Sequence, residues 1–185
     1  MTIPLPDLFI CAHRVMDPPV GPAIDLFSRL PGTKLSHKWV MSGPATHIFL
    51  VVRHADGVAW RHDGQPPRSV WSPDGRRGEE VRWRLLLPPD AHQAALTKAR
   101  ELTGTPYDLG EIVNAAITAA TGLHGPPDLF PQALICSSLG SRVLEAADGD
   151  PARFVRVLPN HFPEMLAQRL RDEEGSWWLA RDDTV

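Results

Sequence analysis

Two residues of this chain, Cys136 and His47, have types and settings that could together do chemistry. Cys136 lies in Leu134-Ile135-Cys136-Ser137-Ser138, where an apolar approach ends in a thiol and an amphipathic run begins. That run predicts a helix ending near Asp148-Gly149, with the thiol at its N-terminus. Free backbone N–H groups and the positive end of the helix dipole stabilise a thiolate there. A cysteine nucleophile also needs an imidazole within reach and a third group that orients the imidazole. His47 opens the apolar segment Ile48-Phe49-Leu50-Val51-Val52, an unusual place for a histidine. A strand there would hold the ring rigidly, with its end open to a cleft.

The orienting group is expected on the next strand. Asp56-Gly57 signals a hairpin, and Val58–His62 reads as the returning strand. Trp60 and His62 share one face of it, Ala59 and Arg61 the other. His62 is the expected orienting residue and Asp63 the reserve, since a second imidazole can fix the tautomer of the first. Blander readings stand beside these. Buried cysteines are commonly structural, and core histidines are commonly satisfied by ordinary hydrogen bonds. Cys11 reads as a buried strand residue, and His37 lies in polar surroundings. A zinc site drawn from His37, His47, His54, His62 and Cys136 lacks the compact ligand spacings of known centres.

The elements that must position these residues are short. Leu8–Ala12 predicts a strand, Ala23–Leu30 a helix, and Thr46–Arg53 the clearest strand of the chain. Gln65–Arg77 reads as a loop. Glu79–Leu87 alternates, with Val81, Trp83 and Leu85 on one face and Arg82 and Arg84 on the other. A helix is expected from Asp90, as N-cap, to about Leu102. A second is expected over Leu109–Thr121, capped by Asp108, followed by a loop over His124–Pro131. Phe154–Leu158 is expected as a strand and Pro163–Asp172 as a helix. The Trp177-Trp178 tail, from about residue 173, either packs or frays.

Bulk properties bound the function. The 185 residues suit one domain, 1–185, with a sizeable core. A formal net charge of −3 with interspersed signs argues against a nucleic-acid partner. Two cysteines imply no disulfide framework and fit a reducing setting. Met-Thr-Ile-Pro-Leu-Pro-Asp lacks the features of a signal peptide, and no apolar run is long enough for a transmembrane helix. Cytoplasmic synthesis is therefore expected. Action outside the cell would require lysis, a dedicated secretion machine or a virus particle.

The order of motifs adds to this. Asp7-Leu8-Phe9-Ile10 comes first, then Ala45-Thr46-His47-Ile48-Phe49, then Gly104-Thr105-Pro106-Tyr107-Asp108, then Leu134-Ile135-Cys136-Ser137-Ser138. Leu158-Pro159-Asn160-His161-Phe162-Pro163 closes the series. This order resembles that of the circularly permuted NlpC-type papain-like cysteine hydrolases, the YiiX-like group, from about residue 7 to about residue 165. In that family the histidine strand precedes the nucleophile. The resemblance implies an α+β, papain-like fold in which an antiparallel sheet carrying His47 packs against the helix bearing Cys136. It implies acyl transfer with no cofactor and no metal, and it places Tyr107 and Ser137 at the substrate site. Tyr107 reads equally as a packing residue at a helix start. The family often carries a glutamate on the strand after the histidine; this chain has Val58-Ala59-Trp60-Arg61-His62 there.

The expected function is that of a thiol hydrolase of amide bonds, a cysteine peptidase acting on peptidoglycan and carried in a phage tail or virion. Its partners would then be a peptide or lipid-amide substrate and phage-tail or secretion-machine proteins. The alternatives are a lipid-directed acyl hydrolase or acyltransferase, and a structural phage or assembly protein that keeps the fold without the activity.

Overall fold

The computed structural model describes residues 4–14, 20–29, 39–75, 78–110, 112–113, 117, 121, 133–148 and 163–182. The elements are β1 (Asp7–Arg14), α1 (Val20–Ser28), β2 (His47–Arg53), β3 (Ala59–Asp63), β4 (Val70–Pro73), β5 (Glu79–Leu85), α2 (Pro89–Glu101), α3 (Cys136–Asp148), α4 (Pro163–Asp172) and β6 (Leu179–Arg181). The chain is a mixed α/β structure with a six-stranded antiparallel sheet in the order β4-β3-β2-β1-β5-β6.

β1 and β2 are central because an unbroken run of five apolar residues in each is buried. Alternation divides their side chains between two faces. Leu8, Ile10, Ala12, Ile48, Leu50 and Val52 join Val81, Trp83 and Leu85 in the main core. The helices close this core with Ala95, Leu96 and Ala99 of α2, Leu139, Val143 and Leu144 of α3, and Leu166, Ala167 and Leu170 of α4. α3 lies tight on the sheet at Gly140, where an added Cβ would stand 2.9 Å from Ile48 Cγ2 and 3.1 Å from Ile10 Cδ1. The other sheet face holds a small cluster of Phe9, Cys11, Phe49 and Val51. Arginines lie over it, with the Arg53 guanidinium carbon 4.5 Å from the Phe9 ring centre and that of Arg61 3.6 Å from the Phe49 ring centre.

The hairpin between β2 and β3 differs from the two-residue turn that Asp56-Gly57 suggests. His54 N–H donates to Val58 O at 2.8 Å, and Gly57 N–H donates to His54 O. The loop is therefore the three residues Ala55–Gly57, with Gly57 at φ +85°, the left-handed position that such loops need. This one-residue difference sets the register Arg53↔Ala59, Val51↔Arg61 and Phe49↔Asp63.

Other differences are local. The expected loop over Gln65–Arg77 contains β4, which extends the sheet because Trp71 pairs with His62 and stacks on its ring. Asp90 is not the cap of α2. Pro88 is, with Pro89 opening the helix and Asp90 in its first turn, where a negative charge suits the dipole. The segment after residue 173 turns back and adds β6 to β5, with Trp178 buried. Within the expected Leu109–Thr121 helix, residues 109–110, 112–113, 117 and 121 are described, and all are helical. The His124–Pro131 loop, the Phe154–Leu158 strand, His161 and His37 lie outside the described residues.

Candidate active site

β2 begins with His47 and β3 ends with Asp63, so the two residues meet at one end of the sheet. The same register puts Asp63 opposite Phe49, on the face that His47 shares. His47 Nε2 lies 2.9 Å from Asp63 Oδ1. An ionised carboxylate only accepts, so Nε2 carries the proton, and Nδ1 is the nitrogen left for the Cys136 sulfur.

Gly64 follows Asp63 and brings the helix start to this place. A Cβ on Gly64 would lie 3.1 Å from Cys136 Cα and 3.4 Å from Cys136 N. A side chain on Gly64 would therefore crowd the first residue of α3, and glycine eases the close passage of the end of β3. Cys136 thus approaches the His47 ring from the helix layer, near enough for its sulfur to act on the charge of the imidazole. The start of α3 is fixed by Ser138, whose hydroxyl accepts from Ile135 N–H and donates to Ile135 O, both at 2.9 Å.

The electrostatics follow from this geometry. Burial works against a charged His47, but the Cys136 sulfur and the Asp63 carboxylate outweigh it and raise the imidazole pKa to about 9. Burial likewise disfavours an ionised Asp63, yet His47 and Arg61 hold its pKa down at about 2. Asp63 therefore carries its charge across the working pH range. The His47 side chain is 18% exposed, which leaves the ring reachable, while Cys136 is buried beneath it.

Two further residues complete the cluster. Arg61 Nε donates to both oxygens of Asp63 at 2.8 Å. Arg61 Nη2 lies 3.3 Å from Nε2 of His13, whose ring centre is 5.0 Å from that of His47. Sequence reasoning missed both. The signal for His13 is the pairing of two strand segments, Asp7–Arg14 and His47–Arg53, in the register His13↔His47.

His62 does not orient His47. It lies opposite Leu50, on the core face of β3, fully buried and stacked on Trp71 at 4.4 Å between ring centres. The cause is the three-residue hairpin loop, which gives Asp63 rather than His62 the face of His47. Tyr107 is half-buried and bridges Leu134 in parallel. Its N–H donates to Pro67 O, and Asp108 N–H donates to Leu134 O, so this backbone braces the approach to Cys136. Ser137 is buried and follows Cys136 in the first turn of α3.

Cys11 is a different kind of cysteine. It is a free thiol in the middle of β1, and burial pushes its pKa well up. Among the described members of a conceivable zinc site, His54 sits at the β2–β3 turn, at the far end of β2 from His47, and His62 faces the core. Among the described residues no group of three or more His, Cys, Asp or Glu side chains could hold a metal ion. Among them, too, no helix is long and apolar enough to cross a membrane. No family model matches the chain, and no curated protein matches it significantly.

Proposed function

We propose that this protein is a cysteine hydrolase of amide bonds with Cys136 as nucleophile, His47 as general base and Asp63 as the group that orients His47. The observation that carries the reading is the position of one imidazole, held 2.9 Å from an ionised carboxylate and lying beside a helix-start thiol whose sulfur acts on its charge. Such a row has the parts of a nucleophile–base–orienter unit. The motif order and the antiparallel sheet under a cysteine-bearing helix support a permuted papain-like, NlpC-type fold.

In this mechanism His47 Nδ1 takes the Cys136 proton, and the imidazolium is stabilised by Asp63. Sγ forms a bond to the substrate carbonyl carbon, and the carbonyl π pair moves to oxygen. Backbone N–H groups at the start of α3 stabilise that oxyanion, in the space that Gly64 leaves clear beside Cys136 N. The C–N bond then breaks as His47 returns its proton to the leaving amine, leaving a thioester. A water molecule, deprotonated by His47, attacks the thioester, releases the acid and restores the thiol.

Peptide amides of peptidoglycan are the proposed substrates, and attachment to a phage tail or similar particle is the proposed route to them. The test is release of stem-peptide fragments from purified sacculi by the wild type and by Cys136→Ala. Fragments from the wild type alone support a wall peptidase. A Cys136-dependent release of fatty acid from lipid amides or esters, with intact sacculi, replaces it with a lipid-directed acyl enzyme. Equal, slow labelling of Cys136 by iodoacetamide in wild type and His47→Ala would sink the enzyme reading altogether.

A further inference from the structure

Arg61 has no place in the mechanism above, yet it is built into the cluster. The residue is 4% exposed, deep for an arginine. Its Nε is shared between Asp63 Oδ1 and Oδ2, and Oδ1 is also the atom that meets His47. Its Nη2 meets His13. Its plane is backed by Phe49, which anchors the guanidinium from the sheet. An arginine nitrogen only donates, so His13 Nε2 accepts and the His13 ring is neutral. Among the described residues, the charged and titratable groups that face His47 are thus Asp63 and Arg61 from β3, His13 from β1 and Cys136 from α3. Glu80 of β5, opposite His13 in the sheet, pairs with Arg82 through Oε1.

We propose that Arg61 is a positioning residue of this cluster: it divides the Asp63 carboxylate between itself and His47 and holds a neutral His13 beside the same ring, so that His47 binds its proton less tightly than Asp63 alone would make it. The chemistry gives this a purpose. A general base must hold the proton of Cys136, but the same group must then release it to the leaving amine. A buried carboxylate bonded only to His47 would favour the imidazolium and hinder that release. A fixed cation on the same carboxylate oxygen offsets part of this pull, and Nε–H donation to both oxygens keeps the carboxylate from rotating away.

The inference rests on the Cys136–His47 reading and is tested through it. The pH profile of iodoacetamide labelling of Cys136 should have an upper step where the His47 imidazolium loses its proton, expected near pH 9 in the wild type. Arg61→Met and Arg61→Gln remove the cation and should move that step upward by about one pH unit, a tenfold change in proton affinity. Arg61→Lys keeps the charge and should leave the step within a few tenths of the wild-type position. Mere structural damage would move the step down, toward the ordinary histidine range. An upper step that stays or falls in a folded Arg61→Met or Arg61→Gln protein overturns the proposal. Nitrogen-15 NMR of the unaltered protein gives an independent check: His13 Nε2 must have the shift of an acceptor nitrogen at pH 7, and a protonated Nε2 overturns the proposal without any variant. If the wild type shows no upper step that His47→Ala removes, the Cys136–His47 reading fails first.

Discussion

The side chain of Asp63 meets His47 at 2.9 Å, while that of its neighbour His62 is buried on the opposite face of the same strand. Replacing the two should therefore have different consequences. Asp63→Asn keeps the shape and loses the charge, so the His47 pKa falls from about 9 toward its ordinary 6.5. Amide hydrolysis should fall by about 10²-fold or more, within the range for loss of an effective acid–base group. His62→Phe keeps the stack on Trp71 and should leave activity within about twofold of the wild type, as befits a site outside the reacting groups. The measurement is kcat/KM for both variants on one substrate. Equal losses would mean that Asp63 has no special role.

Stability should depend on pH in a way that separates these groups. His47 has a raised pKa, so its stabilising contribution is complete below about 6.5 and is lost as pH rises through about 9. Asp63 has a lowered pKa, so its contribution is present above about 3.8 and is lost as pH falls through about 2. His62 acts in the window between. Burial lowers its pKa to about 4, so below 6.5 the unfolded chain takes up a proton that the folded one refuses. Stability should decline from pH 6.5 toward pH 4, by up to roughly 3 kcal/mol over that span. His62→Phe should flatten this decline in urea titrations at pH 7, 5.5 and 4. A decline of unchanged slope would assign it to another group.

Gly64 should tolerate no side chain. In Gly64→Ala the new Cβ meets main-chain atoms of Cys136 at 3.1 and 3.4 Å, and backbone cannot swing aside as a flexible side chain can. The expected outcome is a stability loss of about 1–3 kcal/mol and a larger loss of activity than of Cys136 labelling. The second effect follows because the Cβ intrudes beside the N–H proposed to bind the oxyanion. Thermal melting and parallel labelling and turnover assays measure the two.

Glu164 positions the His47 strand from a distance. It is wholly buried at the start of α4, and Oε2 accepts from Ala45 N–H at 2.6 Å, two residues before His47. Oε1 accepts from Gln168 Nε2 at 2.9 Å and from Val40 N–H at 3.4 Å. Burial raises its pKa, while these donors oppose the rise. Glu164→Ala leaves the Ala45 N–H unpaired in the core and should cost about 1–3 kcal/mol, seen as a lower urea midpoint. Glu164→Gln keeps one acceptor and should recover part of it.

Much of this arrangement was legible in the chain. The continuous apolar run after His47 identifies the central strand. The amphipathic run after Cys136 identifies the helix, and the observed bounds Cys136–Asp148 agree with that expectation. β4 was not legible, because Pro73 and the surrounding Pro and Gly residues mask a strand that exists only through its pairing with β3. Arg61 reads in sequence as an ordinary polar residue of a half-exposed strand, and only its neighbours reveal why it is buried.

The sequence by itself determined which side chains stand at element ends: a histidine opening an apolar strand and a cysteine opening a helix. Local periodicity and helix-start chemistry are enough for that. Only the tertiary structure decided which residue faces His47. That choice hangs on the parity of the hairpin loop, since strand side chains alternate and one residue more or less exchanges the two faces. A two-residue Asp56-Gly57 turn would have put His62 on the face of His47. The loop Ala55–Gly57, closed by the His54–Val58 hydrogen bond and allowed by the positive φ of Gly57, puts Asp63 there instead. The contact between Gly64 and Cys136 joins residues far apart in the chain, and it too arises only when α3 is packed on the sheet.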